Sequence, residues 1–96
     1  MSCAKMVEVK ITIVGRNHYK SVRLNPNESI FLRREPYNTH DAHAVAAYKQ
    51  SGIIFGHVIR STATKLSSIL SVEDKLEGFV SSGHHGKYRC SVIVSA

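Results

Sequence analysis

A small, mostly antiparallel β-barrel or sandwich is the fold class this sequence predicts, and three observations carry it. Six short segments read as strands, several of them with apolar residues at a period of two, a single segment follows a helical period, and turn residues separate most of them. Ninety-six residues suffice for one domain, 1–96, on a modest core. Short strands in that number pack on one another as a barrel or a sandwich.

The first strand is "VEVKITIV", residues 7–14. Val7, Val9, Ile11 and Ile13 share one face, while Glu8, Lys10 and Thr12 share the other, the pattern of a half-buried strand. Gly15 ends it, and "RNHYKSVRLNPNE" reads as a loop with a turn at Asn25-Pro26-Asn27. "SIFLRR" is the second strand. Pro36 stops it, because proline has no ladder donor and biases Glu35 away from helix.

"AVAAYK" and "IIFGHVI" flank Gln50-Ser51-Gly52, a hairpin in which glycine supplies positive φ. After Arg60 the period lengthens: Ala63, Leu66, Ile69 and Leu70 follow helical spacing, with Ser61 in the N-cap position. "KLEGFVSS" and "KYRCSVIVS" return to period two across the glycine-bounded "GHHG". No internal repeat or low-complexity tract interrupts the chain.

Composition removes several function classes. The longest apolar runs, such as Gly52 to Val58, fall far short of a membrane span, and no secretory signal opens the chain. Cys3 and Cys90 are too few and too distant for a disulfide framework, so an intracellular, reducing compartment is expected. Cys90 itself lies in an alternating apolar segment and reads as a small core residue.

Six histidines raise the question of zinc. His40 and His43 are three apart and His84 and His85 adjacent, but no CxxC accompanies them, so no metal site is expected. His84-His85 reads as an exposed turn. No nucleophile elbow, phosphate-gripping glycine loop or well-supported carboxylate pair is present, so no catalytic residue is assigned.

Thirteen Lys and Arg against seven Asp and Glu give a net charge of +6, which suits a polyanionic partner. Arg16, Lys20, Arg23, Arg33 and Arg34 face Glu28 alone between residues 16 and 34, and His18 and Tyr19 lie among them. Basic residues alone would read as an ordinary solvated face; interleaved with rings, they make nucleic acid a competing reading.

"REPYNTHDAHAV", residues 34–45, is the other polar concentration. Asn38 and Asp41 can each cap a turn by bonding neighbouring backbone. The residues alone leave three readings of the stretch open: a turn, half of a metal site, or a pocket for one particular chemical group.

"IVGRNHY", "LRREPYNTHDAHAVAAY" and "GHVIRSTATKL" together resemble the HIRAN domain, a module of fork-remodelling ATPases. The likeness runs from about Val7 to Val94, and the middle motif is its specific part. It implies an OB-like or SH3-like antiparallel β-barrel of about six strands with one or two short helices. It also implies binding of single-stranded DNA at a free 3′ end, in DNA repair or replication-fork processing, without catalysis, metal or cofactor.

Residue by residue, the resemblance places Asn38 and Asp41 on the 3′-hydroxyl. The chemistry suits that role: the hydroxyl both donates and accepts, a carboxylate accepts, and an amide can donate. A carboxylate there would also repel an internal phosphate or a 3′-phosphate. His18, Tyr19 and Tyr88 take positions that stack on bases, and His18 replaces an aromatic whose stacking imidazole can still supply. Arg16, Asn17, His57 and Arg60 take positions near the phosphates, with Asn17 standing where arginine is familiar. The implied partners are single-stranded DNA and a remodelling ATPase in the same or another chain, with no membrane. A nucleus is implied if the source is eukaryotic. Two other readings stay open: a protein-interaction or structural barrel that has lost DNA binding, and an RNA-end binder.

Overall fold

The computed structural model describes residues 6–15, 24–84 and 86–95. Among the described residues, six strands and one helix follow one another as β1 (Met6–Val14), β2 (Ser29–Arg34), β3 (Val45–Lys49), β4 (Ile54–Val58), α1 (Arg60–Ile69), β5 (Leu76–His84) and β6 (Lys87–Ser95). All neighbouring strands pair antiparallel, in the order β1-β4-β3-β2-β5-β6, and β6 pairs back onto β1. The result is a closed barrel, not a sandwich. Closure leaves no bare sheet edge for another chain to extend.

Alternation sorts β1 and β2 into an inner and an outer row, while β3 buries Val45, Ala46 and Ala47 together. Ile11 and Ile13 of β1, Ile30 and Leu32 of β2, and Cys90 and Val92 of β6 meet in one core with Phe55, Val58 and Val80. Outward positions Glu8, Lys10, Arg33, Lys87 and Arg89 are exposed or nearly so. Register shifts between Ala47 and Tyr48, and between Val80 and Ser82, bend the sheet where it must curve to close.

The turns follow local chemistry. Asn27 takes φ 67°, a left-handed conformation asparagine tolerates, and Glu28 Oε1 accepts the Asn25 backbone N–H at 3.1 Å. Gly52 takes φ 93° in the β3–β4 hairpin. The expected "GHHG" connection is shorter than its four residues, because β5 continues through Gly83 and His84 before pairing turns back at Lys87. His84 is therefore strand backbone, and His85 lies outside the described residues.

Helix α1 begins one residue before Ser61. Ile59 is its N-cap residue, extended at ψ 146°, and no side chain caps the first turn. Ala63 and Leu66 join the barrel core, but Ile69 is 62% exposed, so the buried face is narrower than the spacing suggests. Leu70, just past the helix, packs against the same core. No helix among the described residues is long and apolar enough to cross a membrane.

Candidate functional site

Loop 35–44 joins β2 to β3, and its backbone is closed by Glu35 N–H donating to Ala44 O at 2.8 Å. Inside it, Asn38 Oδ1 accepts from the N–H groups of His40 at 2.9 Å and Asp41 at 3.1 Å. Asp41 Oδ1 accepts from His43 N–H at 2.9 Å. Both residues thus cap turns, as such side chains commonly do. That duty uses one oxygen of each.

What remains of the pair is a donor and an acceptor. Asn38 Nδ2 gives one hydrogen to Glu35 Oε1 at 3.2 Å, which leaves its second hydrogen for another acceptor. Asp41 Oδ2 lies 3.7 Å from Arg60 Nε, a loose contact because Arg60 is 79% exposed. An exposed pair of that length adds little stability, so Asp41 keeps most of its capacity to accept.

Glu35 makes a contact that its place in the sequence did not advertise. Its Oε1 accepts from Asn38 and also lies 2.6 Å from His57 Nε2, while its side chain is only 14% exposed. One carboxylate oxygen therefore ties the loop to β4. Because Glu35 follows β2 directly and His57 faces outward on β4, the barrel wall sets their meeting. No spacing rule links residues 22 apart. His43 ties the loop a second time: its Nδ1 lies 3.2 Å from Ser67 Oγ of α1. Ser67 donates to Thr64 O, so His43 is the donor in that contact.

Helix α1 starts beside this loop, with Arg60 as its first residue and no side chain on its free N–H groups. Positive charge from the guanidinium and from the helix start therefore collects near Asp41. The paired arginines of β2 diverge. Arg33 is exposed, whereas Arg34 turns inward and donates from Nη1 to Leu70 O at 3.1 Å, past the C-terminal end of α1. A cation there complements the negative end of the helix, so Arg34 spends its charge inside the fold.

Of the residues singled out from sequence, the structure brings together Asn38, Asp41, His57 and Arg60. Tyr88 stands apart from their hydrogen bonds. Its ring meets Phe55 edge-on, centroids 5.4 Å apart at 88°, and it packs against the core. Arg16, Asn17, His18 and Tyr19 lie outside the described residues. Gly15, just before them, passes so close to β4 that a Cβ would sit 2.6 Å from Phe55 O. Among the described residues, no three of His, Cys, Asp and Glu gather as metal ligands would.

A closed antiparallel barrel carrying a polar β2–β3 loop against the start of its helix defines a compact class of β-barrel domain. Comparison with known proteins places it further. The family model described as HIRAN domain matches residues 6–96. Helicase-like transcription factor of Mus musculus is 33% identical over 72 residues, covering 74% of this chain and 7% of that protein. The crystal structure of the HIRAN domain of human HLTF is similar with a TM-score of 0.78 and 26% identity, over 90% of this chain and 73% of that one. A crystal structure of a protein from Lactobacillus plantarum shares the fold, with a TM-score of 0.68 and 16% identity over 93% and 98% of the two chains. The chain belongs to the HIRAN domain family, and its matched part spans a small fraction of the mouse protein.

Proposed function

We propose that this HIRAN domain binds DNA, without catalysis, by gripping the 3′-hydroxyl of a single strand between Asn38 and Asp41. The supporting observation is the donor and acceptor left over once the loop's own backbone is satisfied. The hydroxyl donates to Asp41 Oδ2 and accepts the second hydrogen of Asn38 Nδ2. A 3′-phosphate presents only acceptors and negative charge, so Asp41 repels it.

The neighbours take supporting roles. Glu35 fixes the amide of Asn38 and the ring of His57, which makes His57 a positioning residue more than a phosphate contact through Nε2. Arg60, exposed at the helix start, is the cation available to a nearby phosphate. Arg16, Asn17, His18 and Tyr19 are assigned to the adjoining nucleotides on family grounds, with Tyr19 and His18 as stacking rings. Tyr88 is assigned to support this surface from within the core. A role in repair or fork processing, in a eukaryotic nucleus, follows if a remodelling ATPase is supplied by the same or another chain.

Fluorescence anisotropy with a short oligonucleotide ending in a 3′-hydroxyl or a 3′-phosphate tests this reading. The hydroxyl form binds more tightly than either the phosphate form or blunt duplex at the same salt. Equal affinity for all three overturns it. A ribose-terminated oligonucleotide that outcompetes the deoxy form would make the ligand an RNA end.

A further inference from the structure

The outer face of β1 and β6 carries a row of cations that the end-binding site does not use. Alternation turns Lys10, Thr12 and Val14 of β1 outward, and Lys87 and Arg89 of β6 beside them, because Ile11, Ile13, Cys90 and Val92 point into the core; Ser91, next in the same row of β6, is buried. Lys10, Lys87 and Arg89 are all exposed, and among the described residues none of the three is ion-paired. No carboxylate interrupts the face until Glu8, beyond Lys10 on β1.

Register connects this face to the loop described above. His57 pairs with Val14, and Val14 pairs with Lys87. Lys87 is therefore two strands from His57, about 10 Å across the wall. Arg89 follows about 7 Å along β6. Lys10 is opposite Ser91, on the diagonal from Arg89 at about 7–8 Å. Three unpaired like charges at such spacings repel one another, and a polyanion that lies along them removes that cost. A second basic residue, Arg33, extends the same cross-strand row on the other side of His57, through Ala46.

We infer that the sugar-phosphate backbone 5′ of the bound end runs from the His57 region across β1 and β6, with Lys87, Arg89 and Lys10 neutralising successive phosphates. This track rests on the end-binding reading for its direction. Its charge contacts do not require the hydroxyl to be read. The barrel then holds one nucleotide by chemistry and several more by charge, so affinity grows with strand length and the growth is salt-sensitive.

The test uses the triple variant Lys10→Gln, Lys87→Gln, Arg89→Gln, which keeps polar side chains at three exposed positions. Two oligothymidylates with free 3′-hydroxyls, of about four and about twelve nucleotides, span the range one barrel of this kind covers. For the parent, the longer strand binds more tightly, and its plot of log K against log salt is steeper by about 2, at about 0.7 per phosphate neutralised. In the triple variant the short strand binds as before, while the longer one loses its advantage and its extra slope. Arg89→Lys, carried alone, keeps both.

Two results overturn the track: a parent whose affinity does not grow with length, or a triple variant that keeps the full gain. Failure of the end-binding reading looks different. The parent would then treat 3′-hydroxyl and 3′-phosphate strands alike, while the length-dependent gain still disappears in the triple variant.

Discussion

Glu35 and His57 meet at 2.6 Å across the barrel wall, and the same Glu35 oxygen accepts from Asn38. That relationship makes the β2–β3 loop a tethered element, and it sets the first prediction. Glu35→Gln keeps the shape but removes the ionised acceptor shared by the two partners. Charge-assisted hydrogen bonds contribute about 1.5–3 kcal/mol each, so thermal melting falls measurably and 3′-end affinity falls with it. Unchanged melting and unchanged affinity in anisotropy would show that the tether is idle.

Asp41→Asn separates turn capping from end reading. Asparagine caps turns about as well as aspartate, so melting stays within about 1 kcal/mol of the parent. Affinity for a 3′-hydroxyl strand falls by about 1.5–3 kcal/mol, and discrimination against the 3′-phosphate narrows because the repulsion is gone. Arg60→Ala is the control. It weakens both strands together and leaves stability nearly unaltered, since an exposed pair at 3.7 Å contributes little. An unchanged ratio of the two affinities in folded Asp41→Asn would remove Asp41 from the site.

Tyr88 is expected to act through packing. Tyr88→Ala removes the edge-on contact with Phe55 and leaves a void at the core boundary, costing about 2–4 kcal/mol in denaturant unfolding. Tyr88→Phe keeps the ring and leaves both stability and DNA affinity near the parent's. Loss of affinity in a fully stable Tyr88→Phe would assign its hydroxyl to the ligand instead.

Burial pushes the Cys90 thiol up from 9.0 to about 12. The folded protein therefore holds that proton through a range in which the unfolded chain releases it. The stabilisation is complete below about pH 9 and is lost as pH rises towards about 12. Unfolding free energies of parent and Cys90→Ala measured over that range diverge in slope, the parent falling more steeply. In the native state a thiol reagent at pH 8 to 9 reacts only as fast as the domain opens. Rapid labelling under native conditions would contradict the buried, protonated thiol.

Much of this molecule was legible in its residues. Alternation located β1, β5 and β6, because a side-chain period of two is local geometry. The turn residues that bound them located β2, β3 and β4, of which β3 buries Val45, Ala46 and Ala47 together. Asn25-Pro26-Asn27 and Gly52 marked their turns for an equally local reason: backbone conformations that few residues tolerate. Asn38 and Asp41, three apart on one loop, were legible as turn-capping residues, which is the local duty they perform.

Other features depended on what the fold brings together. Ser61 is a good capping residue, yet α1 starts earlier, at Arg60, because β4 delivers the chain to the barrel there and Ile59 takes the cap position. The packing of Tyr88 against Phe55 has no signal in the sequence and is set by where β6 carries it. Arg34 counts as basic surface in composition and is spent on the end of the helix. Glu35 gave no signal, since its contact with His57 exists only once β2 and β4 flank β3. Local steric and hydrophobic rules act over a few residues and are written in the chain. Which charges meet, and which are left facing water in a row, is decided by register across the closed sheet.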